Sequence, residues 1–450
     1  MRLVILGGGG FRVPLIYRAL LDSATRAEVV LFDVDSARLN VISQVLAQQA
    51  AGNADAPSVR CTTGLDDALT GADFVFSAIR VGGLAGRVRD ERLPLTEGML
   101  GQETVGAGGI LYGLRTIPIA RDIARRVAAR APDAWLINFT NPAGMVTEAM
   151  AAILGDRVIG ICDSPAGLCL RVAHALGVDP ENARFDYAGL NHLGWLRAVH
   201  VDGRDRLPEL LADDEALAGI EEGRLFGGEW LRALGAIPNE YLHYYYSTAD
   251  AIRASRRQTR GEFLLEQQDR FYAEAARDPG RALAEWRNAR QQREATYMPE
   301  ARGGEAPGDA ASGGYERVAL RLMRALARDE RTTLILNVRN RSAVPGLDAD
   351  AVVEVPCTVD GSGARPLKPG PIPGDELGLI HAVKAAERAT IEAAVTGSRS
   401  AALRALGLHP LVDSVAAAAR IVDTVSWAYE DVGLRPGREL MPSCDTTMPR

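Results

Sequence analysis

The chain opens MRLVILGGGG, an apolar run over Arg2–Leu6 that passes straight into Gly7, Gly8, Gly9 and Gly10. The four apolar residues after Arg2 make a buried strand, and the glycines after them let the backbone turn with no side chains in the way. The next residues, FRVPLIYRALLD, predict a helix over Pro14–Asp22. Strand, glycine turn and helix in that order make a cradle: small residues admit a pyrophosphate, and the helix N-terminus offers N–H groups to it. The following apolar run, Glu28–Phe32, ends in Asp33, where a carboxylate meets the ribose hydroxyls of NAD; Asp35 is the alternative partner. Gly7, Gly8, Gly9, Gly10, Phe11 and Asp33 are therefore the candidate cofactor-binding residues.

Further strands are expected at Phe74–Ile79, Trp135–Phe139 and Arg157–Ile161, with a long helix at Ile117–Ala131. That alternation predicts an α/β fold with a parallel, doubly wound sheet. From Gly194 the pattern changes to longer helices, with strand-like pieces at Thr332–Val338 and Val352–Val355 and closing helices at Glu376–Thr396 and Val415–Tyr429. The predicted division is a cofactor-binding domain over residues 1–193 and an α+β domain for substrate, metal and oligomerisation over 194–450. Ala301–Gly314, rich in glycine and small residues, reads as a linker, with a substrate lid as the second reading. Gly361–Pro373 is another turn-rich passage.

Net charge of −7 and a pI near 5.6 argue against a nucleic-acid partner, which needs a basic face. Arginines interleaved with acids, as in Glu285–Glu294, read as a solvated helix face. No apolar run approaches the ~20 residues of a membrane span. Five scattered cysteines fit a reducing cytoplasm better than a disulfide framework.

Chemistry-bearing residues follow the later strands. Cys162 and Asp163 end one strand, in GICDSP; His192 lies in GLNHLGW; Asn141 lies in NFTNPAG. Cys162 taken alone is an ordinary core thiol, and His192 is thirty positions away, so only the fold could bring them together. Asn141 fits binding of a sugar or the nicotinamide ribose, and the plainer reading is that Asn138 and Asn141 both cap a helix that starts at Pro142. Tyr241 begins an aromatic cluster, YLHYYY, that either packs a core helix or exposes one phenol as a base. Arg87 and Arg260 suit an anionic substrate, because guanidinium grips phosphate in two-pronged fashion, although ion pairing to nearby acids is the blander reading.

Taken in order, GGGGFRVP, LFDVD, IRVGG, GQETVGAGG, NFTNPAG, GICDSP, GLNHLGW, EYLHYYY and TRGE resemble glycoside hydrolase family 4, over residue 1 to about residue 420. The resemblance implies a Rossmann-like NAD domain of the lactate and malate dehydrogenase kind. It implies that Cys162 and His192 bind a divalent metal, typically Mn²⁺. It makes Tyr241 the catalytic base and Asp163 a proton donor. It makes Arg87 and Asn141 substrate-binding residues, with Arg260 on a 6-phosphate. The implied activity is cleavage of 6-phospho-β-glucosides by NAD-assisted oxidation at C3, elimination, water addition and re-reduction; NAD-dependent enzymes of this family are a known exception to two-carboxylate glycosidases. Asp163 matches the 6-phospho-α-glucosidase branch, which is the alternative, and a net NAD-dependent 2-hydroxy acid dehydrogenase is the rival from another class. The implied setting is a cytoplasmic homodimer or homotetramer acting on a phosphorylated disaccharide or glucoside.

Overall fold

The computed structural model describes residues 1–23, 25–296 and 314–424. Within them thirteen strands join one sheet. Six form a parallel half: β1 (Arg2–Leu6), β2 (Glu28–Phe32), β3 (Ser58–Thr62), β4 (Phe74–Ser77), β5 (Trp135–Asn138) and β6 (Val158–Gly160), in the spatial order 3-2-1-4-5-6. That order reverses between β1 and β4, and a doubly wound sheet opens its ligand crevice at the carboxyl ends beside such a reversal.

The inner parallel strands are nearly continuous apolar runs because both faces are covered. Leu3, Ile5, Val29, Leu31, Phe74 and Phe76 point into one core, with the helices Val13–Asp22 and Ser36–Ala50. Val4, Leu6, Val30, Phe32 and Val75 point into the other, against the helices Gly106–Arg130 and Ala143–Leu154. Successive apolar residues serving opposite cores are what a parallel sheet buried on both faces requires.

Beyond β6 the sheet continues antiparallel through β7 (Arg184–Leu190), β8 (Leu193–Val201), the two-residue β9 (Arg204–Asp205) and β10 (Ile237–Pro238), and through β11 (Thr332–Arg339), β12 (Val352–Asp360) and β13 (Gly363–Pro366). The spatial order from β6 is β11-β12-β7-β8-β10. Because β7 pairs with β8 across residue 193, the sheet passes through the 193/194 division without a break. Gly160 pairs with Asn337, Asn337 with Glu354, and Glu354 with Gly189. These four residues form one row across β6, β11, β12 and β7, which sets Gly160 and Gly189 level with each other in the sheet.

Several expectations shift. The strands expected to end at Ile79, Phe139 and Ile161 end at Ser77, Asn138 and Gly160, since the backbone there turns into the crevice. The helix expected from Ile117 begins at Gly106: GAGG is poor in helix propensity, yet a Cβ on Gly108 would lie 2.1 Å from the Gln102 carbonyl oxygen, so close packing selects glycine there. Neither Asn138 nor Asn141 caps the next helix, whose N-cap is Pro142 with no side-chain cap. Asn138 instead donates to Thr140 O at 3.2 Å and Thr147 Oγ1 at 3.0 Å, bracing the loop. The segment 301–313 and residues beyond 424, where the second reading placed a lid and the end of the last helix, lie outside the described residues. No helix among the described residues is long and apolar enough to cross a membrane.

Candidate functional site

A cleft of about 1070 Å³ opens at the carboxyl ends of the parallel strands, and it gathers nearly every residue singled out above. Gly7, Gly9, Gly10, Phe11, Asp33, Arg87, Asn141, Cys162, Asp163, His192, Tyr241 and Arg260 all line it. Gly8 does not: its amide donates to Phe32 O at 2.7 Å, and a Cβ there would sit 2.7 Å from Leu31 Cβ, so its part is to lay the turn on β2.

The glycine turn fits a dinucleotide. Gly7 sits at φ +81, where a side chain is strained, and a Cβ on it would meet Ala78 O at 2.7 Å. Asp33 Oδ2 accepts the Gly9 amide at 3.0 Å and Oδ1 accepts the Asp35 amide at 3.1 Å. A carboxylate has about four acceptor positions, so Asp33 retains capacity for ribose hydroxyls. Asp35 is otherwise engaged: it caps the helix Ser36–Ala50 by accepting from the Arg38 amide at 3.0 Å. Phe11 is buried, edge-on to Phe271, and its carbonyl accepts from Trp286 Nε1 at 2.8 Å.

Cys162 and His192 follow closely on two residues of the row described above, Gly160 and Gly189, and both line the cleft. Cys162 stands two residues past Gly160, just before the helix Ser164–Ala175. His192 is the second residue of the two-residue turn joining β7 to β8, at φ +62, a left-handed conformation in which histidine is uncommon. Its ring stacks on Tyr241 with centroids 3.6 Å apart and planes 2° apart. Its Nδ1 lies 3.0 Å from Thr104 Oγ1.

Both groups are buried, and burial acts on them oppositely. It pushes the Cys162 thiol well up, helped by the charges of Glu354 and Asp163, while the Ser164 amide pulls the other way. It pushes His192 down to about 3, against the pull of Glu103, so the imidazole is neutral at pH 7 with a lone pair to give. Among the described residues no group of three or more His, Cys, Asp or Glu is disposed to hold a metal ion. A soft thiolate and one imidazole are thus a two-donor set, which leaves coordination positions for water or substrate, the pattern of a catalytic rather than a structural metal. The residues present fit that role.

Tyr241 is held by the short helix Glu240–Leu242, its amide donating to Asn239 Oδ1 at 3.0 Å. Asp163 is half-exposed, with Arg12 Nη1 4.0 Å from Oδ2. Arg87 is buried between Glu91 and Glu103, 2.7 Å from each. Arg260 Nη1 donates to Thr296 Oγ1 at 2.7 Å, and Nη2 to Arg293 O at 2.8 Å.

Sequence reasoning missed much of the lining. Arg12, Arg80, Glu103, Arg290 and Arg293 all face the cleft. The reading of Glu285–Glu294 as a solvated face is corrected: the helix Ala282–Ala295 buries Trp286 and Ala289 and presents Arg290 and Arg293 to the cleft. The spacing 286, 289, 290, 293 is one helical stripe, a signal hidden under the density of charge. Glu354 was also missed. It is fully buried behind Cys162 and accepts from Asn337 at 2.9 Å, Tyr187 at 3.1 Å and Asn191 at 3.3 Å.

Comparison with known proteins agrees with this architecture. The model of family 4 glycosyl hydrolase matches residues 2–178, and that of the family 4 glycosyl hydrolase C-terminal domain matches residues 187–412. The chain is 33% identical to a probable 6-phospho-beta-glucosidase of Bacillus subtilis, covering 96% of each. It is 31% identical to a 6-phospho-alpha-glucosidase of Leptotrichia buccalis, covering 95% of this chain and 98% of that one. Among solved structures it resembles the 6-phospho-beta glucosidase from Thermotoga maritima with manganese, NAD⁺ and glucose-6-phosphate. The TM-score there is 0.80 at 28% identity, over 96% of this chain and 98% of that one.

Proposed function

The chain belongs to glycosyl hydrolase family 4, and on that premise we propose that it hydrolyses 6-phospho-β-glucosides with NAD and a divalent cation such as Mn²⁺. The observation that carries this reading is the convergence of the glycine turn, Asp33, Cys162, His192, Tyr241 and a group of arginines on a single cleft. In this reading the first two bind the dinucleotide, and Cys162 with His192 hold the cation. Bound there, NAD supplies a reversible hydride acceptor and the cation a Lewis acid, so that a sugar hydroxyl is oxidised and restored within one turnover.

The chain's own groups then have three tasks. Tyr241, kept flat against His192, takes the proton from C2 of the sugar; a nearby cation favours the phenolate it needs to be. Asp163, half-exposed beside Arg12, hands a proton to the departing glycosidic oxygen. Arg260 and Arg87 bind the anionic sugar, with Asn141 on its hydroxyls. Burial of the site keeps water from quenching the oxidised sugar. The proposed setting is the cytoplasm, with a homodimer or homotetramer as the working form.

Asp163 favours a second reading, hydrolysis of the α-linked 6-phospho-glucosides, since an acid at this place matches that branch. Purified protein with NAD and Mn²⁺, assayed on paired α- and β-linked nitrophenyl glucoside 6-phosphates, decides between them. Faster release from the β-linked compound with no accumulation of NADH is expected. Release from the α-linked compound alone moves the assignment to the second reading. Steady NADH formation on a 2-hydroxy acid with no nitrophenol released contradicts both.

A further inference from the structure

We infer that Thr104 locks the proton of His192 onto Nδ1, leaving Nε2 as the lone pair that meets the cation, so that Thr104 is a positioning residue for the metal. The inference rests on the reading of His192 as a metal ligand and adds how its ring is prepared.

The assignment follows from counting protons along a short chain of hydrogen bonds. Gln102 Oε1 accepts from the amide of Thr104 at 2.5 Å and from the amide of Val105 at 2.9 Å. Two backbone donors converging on one atom identify it as the carbonyl oxygen of the side-chain amide, not its nitrogen. The Thr104 hydroxyl donates to that same oxygen at 3.0 Å. A hydroxyl has one proton. Toward His192 Nδ1, 3.0 Å away, Thr104 Oγ1 can then only accept, so Nδ1 carries the hydrogen. A neutral imidazole has one N–H, and Nε2 is left bare. Among the described residues Nε2 has no hydrogen-bond partner, and His192 lines the cleft.

The support beneath this chain is rigid. Thr104 is buried, and the loop Gln102–Thr104 lies directly on the first turn of the helix Gly106–Arg130. A Cβ on Gly109 would stand 2.6 Å from the Thr104 carbonyl, and one on Gly108 2.1 Å from the Gln102 carbonyl oxygen, so the two glycines permit the loop to rest there. On the other side the ring is fixed by its stack on Tyr241. The imidazole therefore has neither a free flip nor a free choice of tautomer. The opposite tautomer would aim an N–H at the cation and strand the Nδ1 lone pair against a hydroxyl already committed elsewhere. Outer partners of this kind commonly set the affinity of a metal site.

The test uses the full chain. Selective ¹⁵N labelling of its six histidines, with long-range ¹H–¹⁵N spectra recorded without added metal, reports the tautomer of each ring; His192 is assigned by the signal lost in His192→Gln. The expected pattern for His192 is protonated Nδ1 and bare Nε2, and protonated Nε2 overturns the inference whatever the variants do. Mn²⁺ binding is then measured by the electron paramagnetic resonance of the free ion. Thr104→Val should weaken it about 10–100-fold, and Thr104→Ser, which keeps the hydroxyl, should stay within about threefold of the parent. Equal Mn²⁺ affinity in parent and Thr104→Val, with both folded, overturns the coupling. A parent protein that binds no Mn²⁺ overturns the underlying metal reading, even where the Nδ1–H tautomer is found.

Discussion

The cleft carries two groups of charge, here an arginine end and an acid end, on which burial acts oppositely. In the first, Arg12, Arg80, Arg87, Arg260 and Arg293 line the space. Burial alone would raise the Glu103 carboxyl there, but the charges of Arg80 and Arg87 outweigh it and hold Glu103 down at about 2. Burial and the charges of Arg12, Arg260, Arg87 and Arg80 push Arg293 well down from the ordinary guanidinium value. At the other end, around Cys162 and Tyr241, burial raises the carboxyls. Glu240 is pushed up to about 8 by desolvation, with Glu221 and Glu222 adding to it, and Glu354 to about 7, chiefly by desolvation. An excess of buried positive charge is relieved by an anion, and a set of proton-holding buried acids is relieved by a cation. Under the proposed function, the first group would receive the phosphate and the second would face the metal.

Substitutions break this contrast one end at a time. The largest effect is expected at the acid end, from Tyr241→Phe, which should lower kcat about 10³-fold, as loss of a positioned base does. Deuterium uptake at C2 of the sugar should vanish with it; retained uptake removes Tyr241 from the chemistry. Cys162→Ser should cost about 10²–10³-fold in kcat, the size of one lost electrostatic stabiliser, with KM for the phosphorylated sugar nearly unchanged. A rise in KM with kcat intact would mean that the thiol serves the arginine end instead.

Arg293→Met probes the opposite end and should show the opposite split. Loss of a charge-assisted contact, about 1.5–3 kcal/mol, raises KM for 6-phosphorylated substrate about 10–100-fold while kcat changes little. Competition by inorganic phosphate should weaken in parallel. Cation binding should also release protons: Cys162 is held as the thiol and His192 is already neutral, so about one proton should leave per Mn²⁺, and affinity should rise with pH. Calorimetry in buffers of different ionisation enthalpy measures that number, and a value near zero would contradict thiolate ligation.

The smallest effect is on stability. Glu240 has a folded value of about 8 against an ordinary 4.5. Between those limits the folded chain keeps a proton that the unfolded chain has lost, so stability is complete below pH 4.5 and falls as pH rises toward 8. Glu240→Gln should match the parent in Tm at pH 5 and exceed it by a few degrees at pH 8. A constant difference across that range would show that Glu240 does not titrate in the fold.

The parallel sheet and part of the cleft lining were legible in the chain, and what was hidden has physical reasons. The parallel strands announce themselves as short apolar runs because both faces are covered, and the glycine turn and Asp33 follow by position. The hairpin that carries His192 does not announce itself. Its turn is Asn191–His192 rather than a glycine pair, and the strand before it, RFDYAGL, mixes charged and apolar residues because its outer part is half-exposed. Glu354 could not be found from spacing at all, since its importance comes from sharing a row with Gly160 and Gly189, set by pairings between strands far apart in the chain. Arg293 was overlooked for the reverse reason: its helix is so rich in charge that one cleft-facing stripe looks like ordinary solvation.

The most direct test of the account is hydrolysis in heavy water by the parent protein with NAD and Mn²⁺, followed by analysis of the released sugar phosphate. Deuterium at C2, with no net NADH, is the predicted result, because the C2 proton must leave before the aglycone does. Complete hydrolysis with only protium at C2 would mean direct displacement, and the assigned tasks of Tyr241, Cys162 and His192 would fall together.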